Sequence, residues 1–180
     1  MPRSITVLVE GESDKAAVET LAPRYGVDLA AEGVEVVAMG GAGNVGRFLA
    51  AAVAEGRRVG GLYDEAEERF VARALGRQVG EDLTRQGFFA CRRDLEDELI
   101  RAIGLNEMTA LIEAHGELDA FRTLQHQPAH RGGEVADQLR RFLGTTSGRK
   151  IRYGAIMAEA VPLETLPEPL DGLLTWIWSA

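Results

Sequence analysis

Only one cysteine, Cys91, occurs in the chain, which excludes an internal disulfide framework and any multi-cysteine zinc site and fits a reducing cytoplasm. Every apolar run falls short of the ~20 residues that a bilayer-crossing helix needs. Met1-Pro2-Arg3 leads into a strand-like segment rather than a signal peptide, so a cytoplasmic chain with no membrane partner is expected. Lysine is nearly missing: Lys15 and Lys150 are the only two, and all other basic side chains are arginine. Together with 21 glycines, this is the composition of a GC-rich genome in which arginine codons displace lysine codons, so a retained lysine is informative. The pattern G-x-x-x-x-G-K-[ST] and even a Gly-Lys pair are lacking, which leaves no nucleotide-binding P-loop in the sequence.

What is present is a chain of 180 residues, 46% hydrophobic and 27% charged, the size of one domain with room for a small appended lobe. Its 20 basic and 28 acidic side chains give a net charge of −8, which as a total argues against nonspecific coating of nucleic acid. The distribution is uneven. Residues 120–152 carry seven basic side chains (Arg122, Arg131, Arg140, Arg141, Arg149, Lys150 and Arg152) against Glu134 and Asp137, a local charge of +5 that leaves −13 elsewhere. This is either a basic lobe able to hold a phosphate backbone or an ordinary solvated face of a helical hairpin.

Residues 4–9 form a continuous aliphatic and β-branched run, the pattern of a strand buried on both faces of a parallel sheet. Gly11 breaks it, and from Ser13, a suitable N-cap, apolar positions follow helical spacing. A second strand over 34–39, the turn Gly40-Gly41-Ala42-Gly43-Asn44, a helix over 45–54 and a third strand over 58–63 ending at Asp64 complete a β-α-β-α-β pattern. A helix over 67–75, a fourth strand over 87–91 and a helix over 94–103 follow. Beyond Asn106 only helices are expected, over 108–114, 118–127, 135–143 and 151–160, before a tail whose Trp176-Ile177-Trp178 should dock on the core. The predicted fold is thus α/β: a parallel sheet of about four strands in a core over 1–104, and a helical lobe over 105–180.

Ligands of open parallel sheets gather at the carboxyl ends of the strands. Three strand ends here deliver carboxylates: Glu10, Glu12 and Asp14 after the first, Asp64, Glu65, Glu67 and Glu68 after the third, and Asp94, Glu96, Asp97 and Glu98 after the fourth. Clustered carboxylates repel one another, and a divalent cation resolves the repulsion. Oxygen donors without cysteine or paired histidine favour Mg²⁺ or Mn²⁺ over zinc. Taken singly, each acid also has an ordinary explanation, such as Asp14 on a helix dipole or Glu98 paired with Arg101.

The segment Val7-Leu8-Val9-Glu10-Gly11-Glu12-Ser13-Asp14 resembles the first motif of the Toprim fold, and Asp64 falls where that fold carries a D-x-D pair. The Gly-Gly-x-x-Asn turn at Gly40, Gly41 and Asn44 and the acidic helix Asp94-Leu95-Glu96-Asp97-Glu98 are similar to the Toprim nuclease domain of the OLD family of ATP-dependent endonucleases. The resemblance is good over 4–104 and looser over 105–161. It implies two-metal phosphodiester cleavage, with two Mg²⁺ or Mn²⁺ ions ~3.5–4 Å apart. Carried over by position, Glu10, Asp14 and Asp64 hold one ion, Asp94 and Glu98 lie near the second, and Lys150 offers a charge to phosphate or is a surface lysine. One departure stands out: Ala66 occupies the place of the second Asp, so Glu65 or Glu67 must substitute or one metal site is crippled.

The resulting expectation is a Mg²⁺-dependent DNA nuclease, Glu10 and Lys150 serving catalysis and Glu67 completing the ligand set. Its rivals are a degenerate Toprim module that binds nucleic acid or a separate ATPase partner without cleavage, and a Toprim nuclease that processes RNA. The glycine turn could cradle a phosphate, or simply join strand to helix. His126 and His130 are separated by Pro128 and read as loop residues or phosphate contacts, Cys91 reads as a buried hydrophobe, and the tail is a candidate oligomer contact.

Overall fold

The computed structural model describes residues 4–179; the Met1-Pro2-Arg3 lead-in lies outside the described residues. Strands β1 (Ile5–Val9), β2 (Val34–Ala38), β3 (Arg58–Asp64) and β4 (Phe88–Cys91) form one parallel sheet in the order β2-β1-β3-β4. The aliphatic run of β1 is buried throughout, as a central strand covered on both faces requires. Its side chains alternate: Ile5, Val7 and Val9 enter the larger of two apolar clusters, and Leu8 enters the smaller.

Helix α2 (Val45–Ala54), reached through a 3-10 turn, and α3 (Glu68–Ala74) cover the Leu8 face with Met39, Val71 and Phe88. The opposite face belongs to α1 (Glu12–Arg24), whose Ala17, Val18, Leu21 and Ala22 line up at helical spacing. The same cluster runs through α4 (Leu95–Ile103), α5 (Leu105–Ala114), α6 (Leu118–His126), α7 (Val135–Leu143), α8 (Ser147–Ala160) and α9 (Glu168–Trp178). The helices of the second half thus share their core with β1 and α1.

Several expected boundaries move. Helix α8 begins at Ser147, one turn before the expected residue 151, which places Lys150 on a helix rather than in a turn. The expected helix over 67–75 is a 3-10 turn at Glu65–Glu67 followed by α3. The tail is itself helical, and α9 buries Leu170, Leu173, Leu174 and Ile177. Trp176 lies against backbone where β3 has Gly60, whose hypothetical Cβ would come within 2.8 Å of the indole, so a larger residue there would lift α9 from the sheet. Among the described residues no helix is long and apolar enough to cross a membrane.

Candidate active site

Parallel pairing of Leu8 with Gly61 and of Asp64 with Cys91 brings the carboxyl ends of β1, β3 and β4 to one edge of the sheet. A cavity of about 310 Å³ opens there, lined by the side chains of Glu10, Asp14, Asp64, Asp94, Glu96 and Lys150 and by Gly11, Gly40 and Gly41. Five carboxylates and one ammonium therefore face a common space.

The turn out of β1 positions Glu10 and Asp14. Gly11 is the N-cap of α1 in extended conformation, and its N–H donates to Asp14 Oδ2 at 3.0 Å. The expected Ser13 cap is corrected accordingly: Ser13 is buried within the helix and donates instead to Glu96 Oε1 at 3.1 Å. Asp64 closes β3. Of its followers, Glu65 and Ala66 are exposed, while Glu67 is the half-buried N-cap of α3, outside the cavity lining, with Oε2 buried and lacking a hydrogen-bond partner among the described residues.

The α4 carboxylates fall out differently from their spacing. Asp94 is not in the helix but is its N-cap, in extended backbone at φ −156°, and its Oδ1 accepts the Asp97 N–H at 2.8 Å. A helix over 94–103 would set Asp94 and Glu98 four positions apart on one side, but Asp94 lies outside the helix as its cap. Glu98 is buried away from the cavity, accepting the Arg92 N–H at 2.8 Å and pairing with Arg101 at 2.7 Å. Glu96 lines the cavity in its stead, 7% exposed, held by Ser13 and by Lys150 Nζ at 3.1 Å. No feature of the sequence distinguishes Glu96 from its acidic neighbours.

Electrostatics mark this edge. Burial, reinforced by Glu10, Asp14, Asp94 and Glu96, pushes the Asp64 carboxyl up to about 8. Burial and then Glu96 push Asp14 up to about 7, against the pull of the Gly11 N–H and Lys150. Burial and Glu67 raise Glu10, and the Lys150 ammonium and a hydrogen bond with Asp64 partly offset the rise. For Lys150, burial acts downward but the Glu96 carboxylate overrides it and holds the ammonium charged.

A hard divalent cation suits this donor set. The donors are all oxygen, they bear negative charge at a cost, and an unpartnered Glu67 oxygen lies close enough to Glu10 to raise its pKa. Among the described residues, no three His, Cys, Asp or Glu side chains already converge on one point as a finished ligand set does. The carboxylates ring the cavity rather than meeting at its centre.

The basic segment divides. Arg140 lies on Asp94, one of the carboxylates of the site, Arg149 and Arg152 both bind Glu117, the former at 3.1 Å, and Arg122 bonds Gln125 at 3.0 Å. Arg131 and Arg141 are exposed. Arg93, His130, Asp137, Arg140, Arg141 and Gly144 line a second cavity of about 420 Å³. His126 Nδ1 lies 2.7 Å from the Arg122 carbonyl. The glycine turn does not form an open phosphate cradle, because the N–H groups of Gly40 and Gly41 both donate to the Glu10 carbonyl, at 3.0 and 3.1 Å, while Asn44 Nδ2 donates to the Met39 carbonyl. Cys91 and the Tyr153 ring are buried.

Residues 5–65, the span from β1 through β3, match the family model of the Overcoming lysogenization defect protein-like TOPRIM domain. Over this span the chain resembles the Toprim domain of the OLD proteins. The matched span includes Glu10, Asp14 and Asp64, whereas Asp94, Glu96, Arg140 and Lys150 lie beyond it. Solved structures extend the likeness of fold to nearly the whole chain. The C-terminal region of the Burkholderia pseudomallei OLD protein superposes with a TM-score of 0.71 at 16% identity, covering 97% of each chain. The C-terminal region of the Xanthomonas campestris pv. campestris OLD protein gives 0.73 at 19% identity, over 98% of this chain and 93% of the other. No curated protein sequence matches. The helices beyond the Toprim sheet thus have counterparts in OLD C-terminal regions.

Proposed function

We propose that the chain is a Mg²⁺- or Mn²⁺-dependent nuclease that hydrolyses phosphodiester bonds of DNA. The observation that carries this reading is the single cavity in which Glu10, Asp14, Asp64, Asp94 and Glu96 meet Lys150 at the carboxyl edge of the sheet. A bound divalent cation would lower the pKa of an attacking water and neutralise charge developing on phosphate oxygens. Glu10, Asp14 and Asp64 are the groups to hold it, with Glu67 beside them. Lys150, fixed by Glu96, presents an ammonium to the negative charge that builds on the phosphate. The exposed charges of Arg131 and Arg141 suit contact with a flanking phosphate backbone.

The test is cleavage of supercoiled and linear DNA, and of RNA, with and without Mg²⁺ or Mn²⁺. Metal-dependent cleavage lost in Glu10→Ala supports the reading, and cleavage of RNA alone would reassign the substrate. A second reading, a Toprim module that binds nucleic acid or an ATPase without cutting, is favoured by Ala66, which puts an exposed methyl two residues past Asp64. DNA binding without cleavage under every metal condition would select it.

A further inference from the structure

Asp94 and Glu96 differ from the other carboxylates of the cavity in that each already carries a cation of the protein. Arg140, brought by α7, spans both oxygens of Asp94, with Nε 3.4 Å from Oδ1 and an Nη donating to Oδ2. Lys150, brought by α8, lies 3.1 Å from Glu96 Oε1, which Ser13 also binds. Across the cavity the situation reverses. Among the described residues, Glu10, Asp14 and Asp64 form no ion pair; Asp14 accepts only the Gly11 N–H, and Glu67 Oε2 has no partner. The cations of the protein therefore pair on the α4 side, and the carboxylates without a paired cation sit at the ends of β1 and β3.

We infer that this chain holds one divalent cation, at the β1 and β3 strand ends, and that Arg140 supplies the fixed positive charge on the Asp94 side where a second ion would otherwise bind. The inference rests on the metal-dependent reading above. A two-point guanidinium–carboxylate contact is geometrically specific, and the guanidinium stays charged at every working pH. Asp94 is further committed by its cap bond to the Asp97 N–H at 2.8 Å. An ion arriving at Asp94 must expel Arg140 and leave it half-buried beside a second positive charge, which costs free energy. An ion arriving between Glu10 and Asp64 displaces no side chain and relieves their mutual repulsion.

The decisive measurement is the number of Mn²⁺ ions bound per full-length chain, by titration calorimetry and by electron paramagnetic resonance of free Mn²⁺. One ion is expected in the unaltered chain, none in Asp64→Asn, one still in Asp94→Asn, and two in Arg140→Gln, where Asp94 is released. Two ions in the unaltered chain, or loss of the single ion in Asp94→Asn, overturns the inference and leaves metal dependence standing. A count of one in folded Arg140→Gln overturns the assignment to Arg140. No ion in the unaltered chain overturns the metal-dependent reading together with this one. Circular dichroism checks that each variant folds, and should Arg140→Gln not fold, the Asp94→Asn count decides.

Discussion

Gly154 of α8 crosses directly over the backbone of Ser13 in α1, so closely that a Cβ at position 154 would strike the Ser13 carbonyl oxygen and carbon. This contact governs the site, because Ser13 reaches Glu96 from one helix and Lys150, one turn before Gly154, reaches the same carboxylate from the other. Gly154→Ala is expected to force the helices apart, costing about 1–3 kcal/mol as other overpacked positions do, and to lower activity with it. Gly148→Ala on the same helix is the control: nothing lies within 4 Å of its Cβ, so the better helix former should stabilise by up to about 1 kcal/mol. Urea denaturation of the two variants measures both signs.

Lys150 and Glu96 should separate stability from catalysis. Lys150→Met leaves a carboxylate that is 7% exposed without its ammonium partner, and is expected to destabilise as well as inactivate. Adding Glu96→Gln removes the stranded charge, so the double variant should regain stability while cleavage stays about 10²–10³-fold down, the scale on which one stabilising donor to a transition state is lost. Recovery of activity in the double variant would show that Lys150 serves only to balance Glu96.

The pH dependence of stability without metal follows from Asp14 and Asp64. Their folded values of about 7 and about 8 exceed the ~3.9 of an unfolded aspartate. The folded chain therefore binds more protons than the unfolded chain over this window, and their contribution to stability, complete below pH ~4, is lost as the pH rises through about 8. In EDTA the melting temperature should be higher near pH ~5.5 than near ~8.5, by about 2–4 °C for each kcal/mol. Saturating Mn²⁺ at the upper pH should close the gap, since a ligand of the folded state stabilises by mass action. Equal melting temperatures in EDTA would contradict the shared charge of the cavity.

The arginines should differ in kind. Arg141→Ala, which removes an exposed charge, is expected to weaken DNA binding across sequences and reduce the log–log salt slope by about 0.9. Arg149→Ala removes a half-buried partner of Glu117 and should lower stability with the slope unchanged. Salt titrations of affinity beside thermal melts distinguish the two.

The sheet was legible because its signals are local. The buried run of β1, the glycine turns and the acid at the end of β3 all lie within short windows, and they place Glu10, Asp14 and Asp64 at one edge without knowledge of any long-range contact. The α4 side was not, because its arrangement depends on one residue of helix phase. Treating Asp94 as helical aligns it with Glu98, whereas its extended backbone as N-cap leaves Glu98 to Arg101 and turns Glu96 to the cavity. Ser13 illustrates the same limit: its cap propensity is real, but Gly11 caps and Ser13 finds a partner 83 positions away. That Arg140 seats on Asp94, and Arg149 and Arg152 on Glu117, depends on how distant helices pack, which residue spacing does not encode.

The union of α1 with α8 also orders events during synthesis. Glu10 and Asp14 leave the ribosome well before Arg140 and Lys150, which follow more than a hundred residues later. A nascent or truncated chain ending before α7 presents a bare acidic edge, with neither the arginine that seats on Asp94 nor the ammonium that pairs with Glu96. On the proposed reading, cleavage is expected only of chains whose second half has been made and has folded back onto the first helix.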